Sequence, residues 1–171
     1  DSQRLVRNKV FAVSSDVPAS FILPKKPATL LKNMLGKDVS EVTIRFDERN
    51  AEITFDDCII ICRLIEGRYP NYNAVIPLNN PNHLTVDRVA LLSALRRVQP
   101  FASSSNLVRF HIENSVLQLD AEDYDFSKTA TERMACDYNG LPMSIGFNGS
   151  SFIDMLSNFE CQDIVIQLAD P

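Results

Sequence analysis

The sequence predicts an α+β protein in which helices pack on one face of antiparallel sheets. A strand–helix–strand order occurs three times, and Ile22, Leu84 and Ile145 mark equivalent points that lie 62 and 61 residues apart. Three similar units at one period indicate an internal repeat. Their strands alternate between apolar and polar residues, and each helix carries a single apolar stripe. One layer of helices on antiparallel sheets would bury both kinds of apolar face.

In the first unit, residues 20–24, with the apolar run 21–23, predict a strand, and the alternation of residues 42–46 predicts another. The apolar stripe of the helix between them consists of Leu30, Leu31, Met34 and Leu35. A turn at residues 48–50 leads into a strand over residues 51–55, which completes a hairpin, and a further strand follows over residues 58–64.

The second unit repeats this order, with strands over residues 83–86 and 108–112. Its helix presents Leu91, Leu92, Leu95 and Val98 on one face. A turn at residues 113–114 leads into a strand over residues 116–119, and a further strand is predicted at roughly 128–137.

The third unit has strands over residues 143–147 and 164–166, around a helix whose stripe is Phe152, Ile153 and Leu156. A sheet that ended at residue 171 would leave an open edge, so we expect the natural protein to continue there. Since Asp1 is not an initiator methionine and no leader precedes it, we also expect the chain to begin inside a longer protein or to have been trimmed.

The composition is that of an ordinary globular protein. The 171 residues are 45% hydrophobic and 23% charged, and 17 basic against 22 acidic side chains give a formal net charge of −5. These values exclude an intrinsically disordered or collagen-like chain. The apolar runs are far shorter than the roughly 20 residues of a membrane helix. The acidity argues against a generic nucleic-acid binder, but it is compatible with basic residues concentrated on one face.

The four cysteines, at positions 58, 62, 136 and 161, form no C-x-x-C pair. Cys58 and Cys62 lie in an apolar run that predicts a strand, which would place their Cα atoms about 13 Å apart. That distance is too long for a disulfide or a shared metal. We therefore expect reduced, structural cysteines and a cytoplasmic protein.

We expect no catalytic residue, no cofactor and no bound metal. His111 alternates with apolar residues, so it should lie on the solvated face of its strand beside Arg109. Acidic clusters at residues 56–57 and 122–125 adjoin turn-like sequence, which favours solvated loops over metal or acid–base sites.

The glycines form no phosphate-binding loop of a known pattern. Residues 146–150 open the third helix, where an anion could bind. A helix N-cap by Asn148 or Ser150 explains this segment more simply.

Basic residues accompany the first two helices: Lys25, Lys26, Lys32, Lys37, Arg88, Arg96 and Arg97. Ordinary solvated helix faces are one interpretation. The other is that the repeated helices line one surface with positive charge inside an acidic protein. Residues 67–81, which contain prolines at 70, 77 and 81, are the best candidate for a linker.

Four motifs resemble one family in order and spacing along the chain. LIEGRYPNY at residues 64–72, with VIP at 75–77, closely resembles the L-[IV]-[ED]-G-R-[FY]-P-[DN]-Y…V-[IL]-P signature of bacterial sliding clamps. These clamps are the β subunit of the replicative DNA polymerase III. DSQRL at residues 1–5, FILPKK at 21–26 and IGFN at 145–148 resemble the T-D-G-H-R-L, [FV]-I-[VL]-P-[RK]-K and I-G-F-N motifs of the same family.

The resemblance implies a DNA clamp fold. Sliding clamps are homodimeric rings with three similar domains per chain, each built from two strand–helix–strand units, with helices lining the hole. On this mapping, residues 1–72 are the C-terminal half of the central domain. Residues 73–171 are the third domain without its last strands.

The function that the resemblance implies is processivity in bacterial DNA replication, as a non-catalytic accessory subunit. The ring encircles duplex DNA independently of base sequence and tethers the polymerase, the clamp loader and repair proteins. The residues expected to face DNA are Lys25, Lys26, Lys32, Arg96 and Arg97.

Partners of this family insert a short linear peptide into a cleft between the second and third domains. The matching positions here are Arg4, Leu5, Pro70, Val75 and Asn148. The three apolar residues would contact hydrophobic side chains of the peptide, and the two polar residues would orient its backbone.

The chain departs from the family pattern at Ser2 and Gln3, at Ala74, where a basic residue is common, and at Ser151, where an aromatic residue is often found. The alternative function is a clamp-like scaffold that binds proteins only and has no role on DNA.

Overall fold

The computed structural model describes residues 4–10, 13, 18–36 and 38–169. The chain divides into two compact units, residues 1–76 and residues 77–171. The boundary lies inside the proline-containing segment 67–81 that the sequence indicates as a linker.

The first unit contains one helix and an antiparallel sheet in the strand order β1-β2-β3 within its described part. The elements are α1 (Lys25–Met34), β1 (Thr43–Phe46), β2 (Asn50–Phe55) and β3 (Cys58–Arg63). Alternate residues of β2 and β3 face inward, and Ile53, Phe55 and Ile60 form the core. Leu31 of α1 packs against this core. A short 3₁₀ turn, Tyr72–Ala74, follows the sheet.

Asp47 fixes the turn between β1 and β2. Its Oδ1 accepts hydrogen bonds from the backbone N–H groups of Arg49 (2.7 Å) and Asn50 (2.6 Å). These bonds favour the ionised carboxylate, so they hold the pKa of Asp47 below its ordinary value. The turn at residues 48–50 is therefore confirmed.

Two expectations for the first unit are wrong. Residues 20–24 do not form a strand, and Pro24 has no N–H to donate. The ring of Phe21 packs 4.6 Å from that of Phe46 in β1, and the N–H of Ile65, just after β3, donates to the carbonyl of Ile22 at 3.0 Å. Among the described residues, the apolar stripe of α1 is only partly covered, because Leu30 and Met34 remain 46% and 40% exposed. The inward side chains of β2 and β3 cover only part of so wide a stripe.

The second unit is larger and contains two helices in its described part. Its elements are β4 (Asn82–Asp87), α2 (Arg88–Val98), β5 (Leu107–Glu113), β6 (Val116–Asp123), β7 (Lys128–Ala135), β8 (Asp137–Tyr138), β9 (Met143–Asn148), α3 (Gly149–Ser157) and β10 (Asp163–Leu168). The strands form two antiparallel sheets, in the orders β10-β4-β8 and β7-β6-β5-β9.

The two repeats of the second unit are interlocked. The first repeat, β4-α2-β5, begins in the three-stranded sheet and ends in the four-stranded sheet. The second repeat, β9-α3-β10, runs from the four-stranded sheet back to the three-stranded one. Strand β9 therefore pairs with β5, and β10 pairs with β4. Each helix covers the sheets from the same side, and the apolar faces meet in one core.

The apolar stripe of α2 is buried as predicted, with Leu91, Leu95 and Val98 at 0% exposure. Phe110 of β5 lies at the centre of the core, and its ring packs 5.3 Å from that of Phe152 on α3, measured between centroids. These contacts confirm an α+β fold with helices on one face of antiparallel sheets.

The predicted strand over residues 128–137 is wrong in one respect, because it breaks at Cys136. The N–H of Cys136 bonds to the carbonyl of Ser115 (3.0 Å), and the chain then leaves the four-stranded sheet to pair with β4 as strand β8. One continuous strand cannot hydrogen-bond within two separate sheets, so the ladder is interrupted where the chain changes sheet.

Candidate functional site

Helix α1 presents exposed lysines at both ends. Lys25 and Lys26 lie in its first turn and Lys32 in its last turn, and all three are exposed. A lysine in the first turn faces the positive end of the helix dipole, which is an unfavourable position for a cation. Within the described part of the chain, none of these lysines forms an ion pair. The sequence thus concentrates positive charge on this helix without local compensation.

Helix α2 presents Arg96 and Arg97 in its last turn, where the helix dipole favours cations. Because Leu92 and Leu95 are buried, these arginines lie on the exposed side of the helix. Arg96 donates from Nη2 to the hydroxyl Oγ of Ser157 on α3, at 3.3 Å. The side chains predicted to face DNA are therefore exposed. Arg88, also predicted as part of the basic surface, is instead half-buried and donates to the carbonyls of Leu156 and Cys161.

Arg97 is engaged by an acidic residue that the sequence does not indicate. Its Nε donates to Oε1 of Glu132 on β7 at 2.7 Å, and its Nη2 donates to Oε2 at 2.8 Å. This is a two-point pairing of guanidinium and carboxylate, the strongest geometry for such a pair. The hydrogen bonds to Glu132 raise the pKa of Arg97, and those from Arg97 lower the pKa of Glu132.

The residues matched to the peptide cleft belong to both units. In the first unit, Arg4, Leu5, Pro70 and Val75 are exposed, with Leu5 at 44% and Val75 at 70%. Exposed apolar side chains are suited to contact a hydrophobic partner. The departures at Ser2 and Gln3, like the basic residue Lys37, lie outside the described residues.

Asn148, in the second unit, is the N-cap of α3. Its Oδ1 accepts hydrogen bonds from the backbone N–H (2.9 Å) and the hydroxyl (3.0 Å) of Ser151, and its Nδ2 donates to the carbonyl of Ser105 at 3.3 Å. The N-cap interpretation is confirmed for Asn148, whereas Ser150 is already inside the helix. The side chain of Asn148 thus has a structural role in the fold.

The polar residues considered for chemistry form structural contacts. His111 lies on the outer face of β5, as predicted, with Nε2 3.2 Å from Oδ2 of Asp120. Glu122 pairs with Arg109 at 2.9 Å. Oδ1 of Asp123 accepts hydrogen bonds from the two backbone N–H groups of residues 125 and 126 and so stabilises a turn. Among the described residues, no three His, Cys, Asp or Glu side chains are grouped so that they could hold a metal ion.

The described helices are all too short or too polar to cross a membrane.

Two protein-family models match the chain, one over its first part and one over the rest. The family model described as DNA polymerase III beta subunit, central domain, matches residues 1–71. The model described as DNA polymerase III beta subunit, C-terminal domain, matches residues 73–171, which is more than half of the chain. The chain belongs to the DNA polymerase III beta subunit family. The resemblance to bacterial sliding clamps is thereby confirmed.

Individual sliding clamps resemble the chain at moderate identity. The Beta sliding clamp of Salmonella typhimurium is 28% identical over 152 residues, covering 88% of this chain and 41% of that protein. The solved DNA polymerase III subunit beta of Borrelia burgdorferi, in complex with a natural product, has a TM-score of 0.86 at 27% identity and covers 93% of this chain and 43% of that one. The solved sliding clamp of Bartonella birtlesii has a TM-score of 0.82 at 28% identity and covers 88% of this chain and 43% of that one.

The chain spans less than half the length of these sliding clamps. It corresponds to part of the second and most of the third clamp domain. The fold class predicted from the repeat is that of the solved clamps.

Glu132 is the site residue that sequence reasoning missed. It lies 35 residues from Arg97, and its contact depends on the register of β7, in which Glu132 pairs with the buried Leu119. That register directs the charged side chain of Glu132 toward helix α2, on the side of the sheet where Leu119 is buried. The alternation of Ala130, Glu132 and Met134 on the half-buried face was the available signal.

Proposed function

We propose that this chain functions in bacterial DNA replication as part of a processivity clamp. In this proposal the complete protein forms a ring around duplex DNA and tethers the replicative polymerase and other proteins. Family membership and the TM-scores of 0.82 and 0.86 to solved clamps support it. The protein would act in the cytoplasm as a non-catalytic accessory subunit and require no cofactor.

We further propose that residues 1–72 form the C-terminal half of the central clamp domain. Residues 73–171 would form the third domain without its last strands. The two matched family models and the repeated strand–helix–strand order support this assignment.

The observation that carries the DNA role is the exposed basic side of each of the two helices. Lys25, Lys26 and Lys32 on α1, and Arg96 and Arg97 on α2, are exposed in a chain whose net charge is −5. Phosphates attract such cations independently of base sequence, and binding weakens as salt rises because counterions are released. A ring that must slide needs weak, non-specific contacts of this kind.

Arg4, Leu5, Pro70, Val75 and Asn148 are proposed to bind short linear peptides of partner proteins. The exposure of Leu5 and Val75 supports an apolar contact with such a peptide. Asn148 would contribute mainly by fixing the start of α3, because its side chain is already hydrogen-bonded within the unit.

The DNA role can be tested with Lys26→Glu combined with Lys32→Glu in the complete protein, expressed from its whole gene. The dissociation constant for nicked circular duplex DNA would be measured between 50 and 200 mM salt. We expect at least about tenfold weaker binding at low salt and a shallower salt dependence, since the log–log slope falls by about 0.9 for each phosphate that is no longer neutralised.

Arg133→Glu is a single-site control, because Arg133 is also exposed but lies on the outer face of β7 and bonds to Gln118 at 2.8 Å. It should leave DNA binding nearly unchanged. If the lysine variant binds DNA as tightly as the parent protein, at every salt concentration, these residues are ordinary solvated side chains and the proposal fails.

A further inference from the structure

Glu132 occupies an unusual position for an acidic residue. It lies on β7, an edge strand of the four-stranded sheet within the described residues, and its cross-strand neighbour Leu119 is wholly buried. Its side chain therefore points to the side of the sheet that α2 covers. A carboxylate on that side needs a partner, and Arg97 provides both of its hydrogen bonds.

We propose that Glu132 is an internal counterion that weakens DNA binding by holding Arg97 in a two-point ion pair. This inference rests on the proposed DNA role of the helices and adds an acidic residue that tunes it. A guanidinium whose Nε and Nη2 already donate to a carboxylate has one of its two paired donor edges occupied and can offer a phosphate only the other. Its positive charge is also neutralised by the neighbouring carboxylate.

The two helices then differ in the positive charge that they offer to DNA. Within the described residues, Lys26 and Lys32 of α1 form no ion pair, whereas Arg97 of α2 is neutralised. Arg96 bonds only to a neutral hydroxyl, that of Ser157, in the described contacts. A sliding protein benefits from such attenuation, because every full phosphate contact increases affinity and must be broken in each step along the duplex.

The chain supplies a closely matched control pair. Arg109 and Glu122 form an ion pair of similar length, 2.9 Å against 2.7 Å, and their side chains are exposed to similar extents as those of Arg97 and Glu132. Arg109 and Glu122 lie on the outer face of the sheet, away from the helices. Their neighbours along the strands, such as Phe110 and Ala121, are buried on the opposite face. Removing either carboxylate changes the net charge by the same amount.

The experiment compares Glu132→Gln, Glu122→Gln and the double variant Glu132→Gln with Arg97→Gln in the complete protein. Dissociation constants for nicked circular duplex DNA are measured from 50 to 200 mM salt, and thermal unfolding confirms that each variant is folded. For Glu132→Gln we expect about threefold tighter binding at 50 mM salt and a log–log slope that is steeper by about 0.9 for each additional phosphate that the protein neutralises. Glu122→Gln should bind as the parent does.

The double variant identifies the cause. If the tighter binding comes from the freed Arg97, replacing Arg97 as well must abolish it. Tighter binding that persists without Arg97, or that is equal in Glu122→Gln, would show a general charge effect and overturn the inference. If Glu132→Gln binds DNA as the parent does while Lys26→Glu with Lys32→Glu weakens binding, the inference fails and the proposed DNA role stands. If neither variant changes binding, both fail.

Discussion

The sequence predicts two roles for Asn148, a helix N-cap and a contact with partner peptides, and the structure shows the first of them. The sequence places it both in a family motif and at the start of a helix, and the structure gives it three hydrogen bonds as the N-cap of α3. Its cap role follows from local sequence alone, because an Asn before a helix satisfies an otherwise unpaired N–H. Glu132 is the contrary case, since its contact with Arg97 depends on the register of strands far apart in sequence.

Replacement of the cap should destabilise the second unit. For Asn148→Ala we expect a loss of about 1 kcal/mol in the free energy of unfolding, because the N–H of Ser151 loses its acceptor. Urea unfolding followed by circular dichroism would measure it. Asn148→Asp keeps an acceptor oxygen at the cap and should retain most of the stability. Equal stability of the Ala variant and the parent would show that the cap contributes nothing.

At the scale of elements, the helix stripes were predicted correctly, but the burial of the α1 stripe was not. Four apolar residues at helical spacing occur in α2, and three occur in α1 with Leu35 directly after its end, yet only those of α2 are all buried. Helix α2 is covered by two sheets and by α3, whereas Leu31 of α1 packs against the core residues of β2 and β3. Periodicity shows which face of a helix is apolar, but what covers that face depends on how distant strands pair. The pairing of β9 with β5, and of β10 with β4, has no local signal in the sequence.

Two substitutions in α2 test this assignment of its faces. Leu95 is completely buried, so Leu95→Ala should lower the free energy of unfolding by about 2–5 kcal/mol, because apolar packing is removed and a cavity remains. Val89 lies on the same helix and is 54% exposed, so Val89→Ala should change the free energy of unfolding by at most about 0.5 kcal/mol. Thermal and urea unfolding measure both. Similar losses for the two variants would contradict the observed orientation of α2.

At the scale of the whole molecule, the repeat and the motifs together predicted the family. The period of 61–62 residues indicated the strand–helix–strand unit, and LIEGRYPNY at residues 64–72 indicated sliding clamps. Composition alone pointed away from DNA, because the net charge of −5 does not show that cations are concentrated on the helices. Charge distribution on a folded surface, rather than total charge, governs the attraction of phosphates.

The central claim is that the complete protein holds DNA by encircling it. The most direct measurement loads the complete protein on nicked circular duplex DNA and follows the bound fraction by gel filtration, before and after a restriction enzyme cuts the circle. We expect stable retention on the circle and rapid release after linearisation, because a ring slides off a free end whereas its individual phosphate contacts are weak. Equal retention on circular and linear DNA would contradict the proposed clamp function.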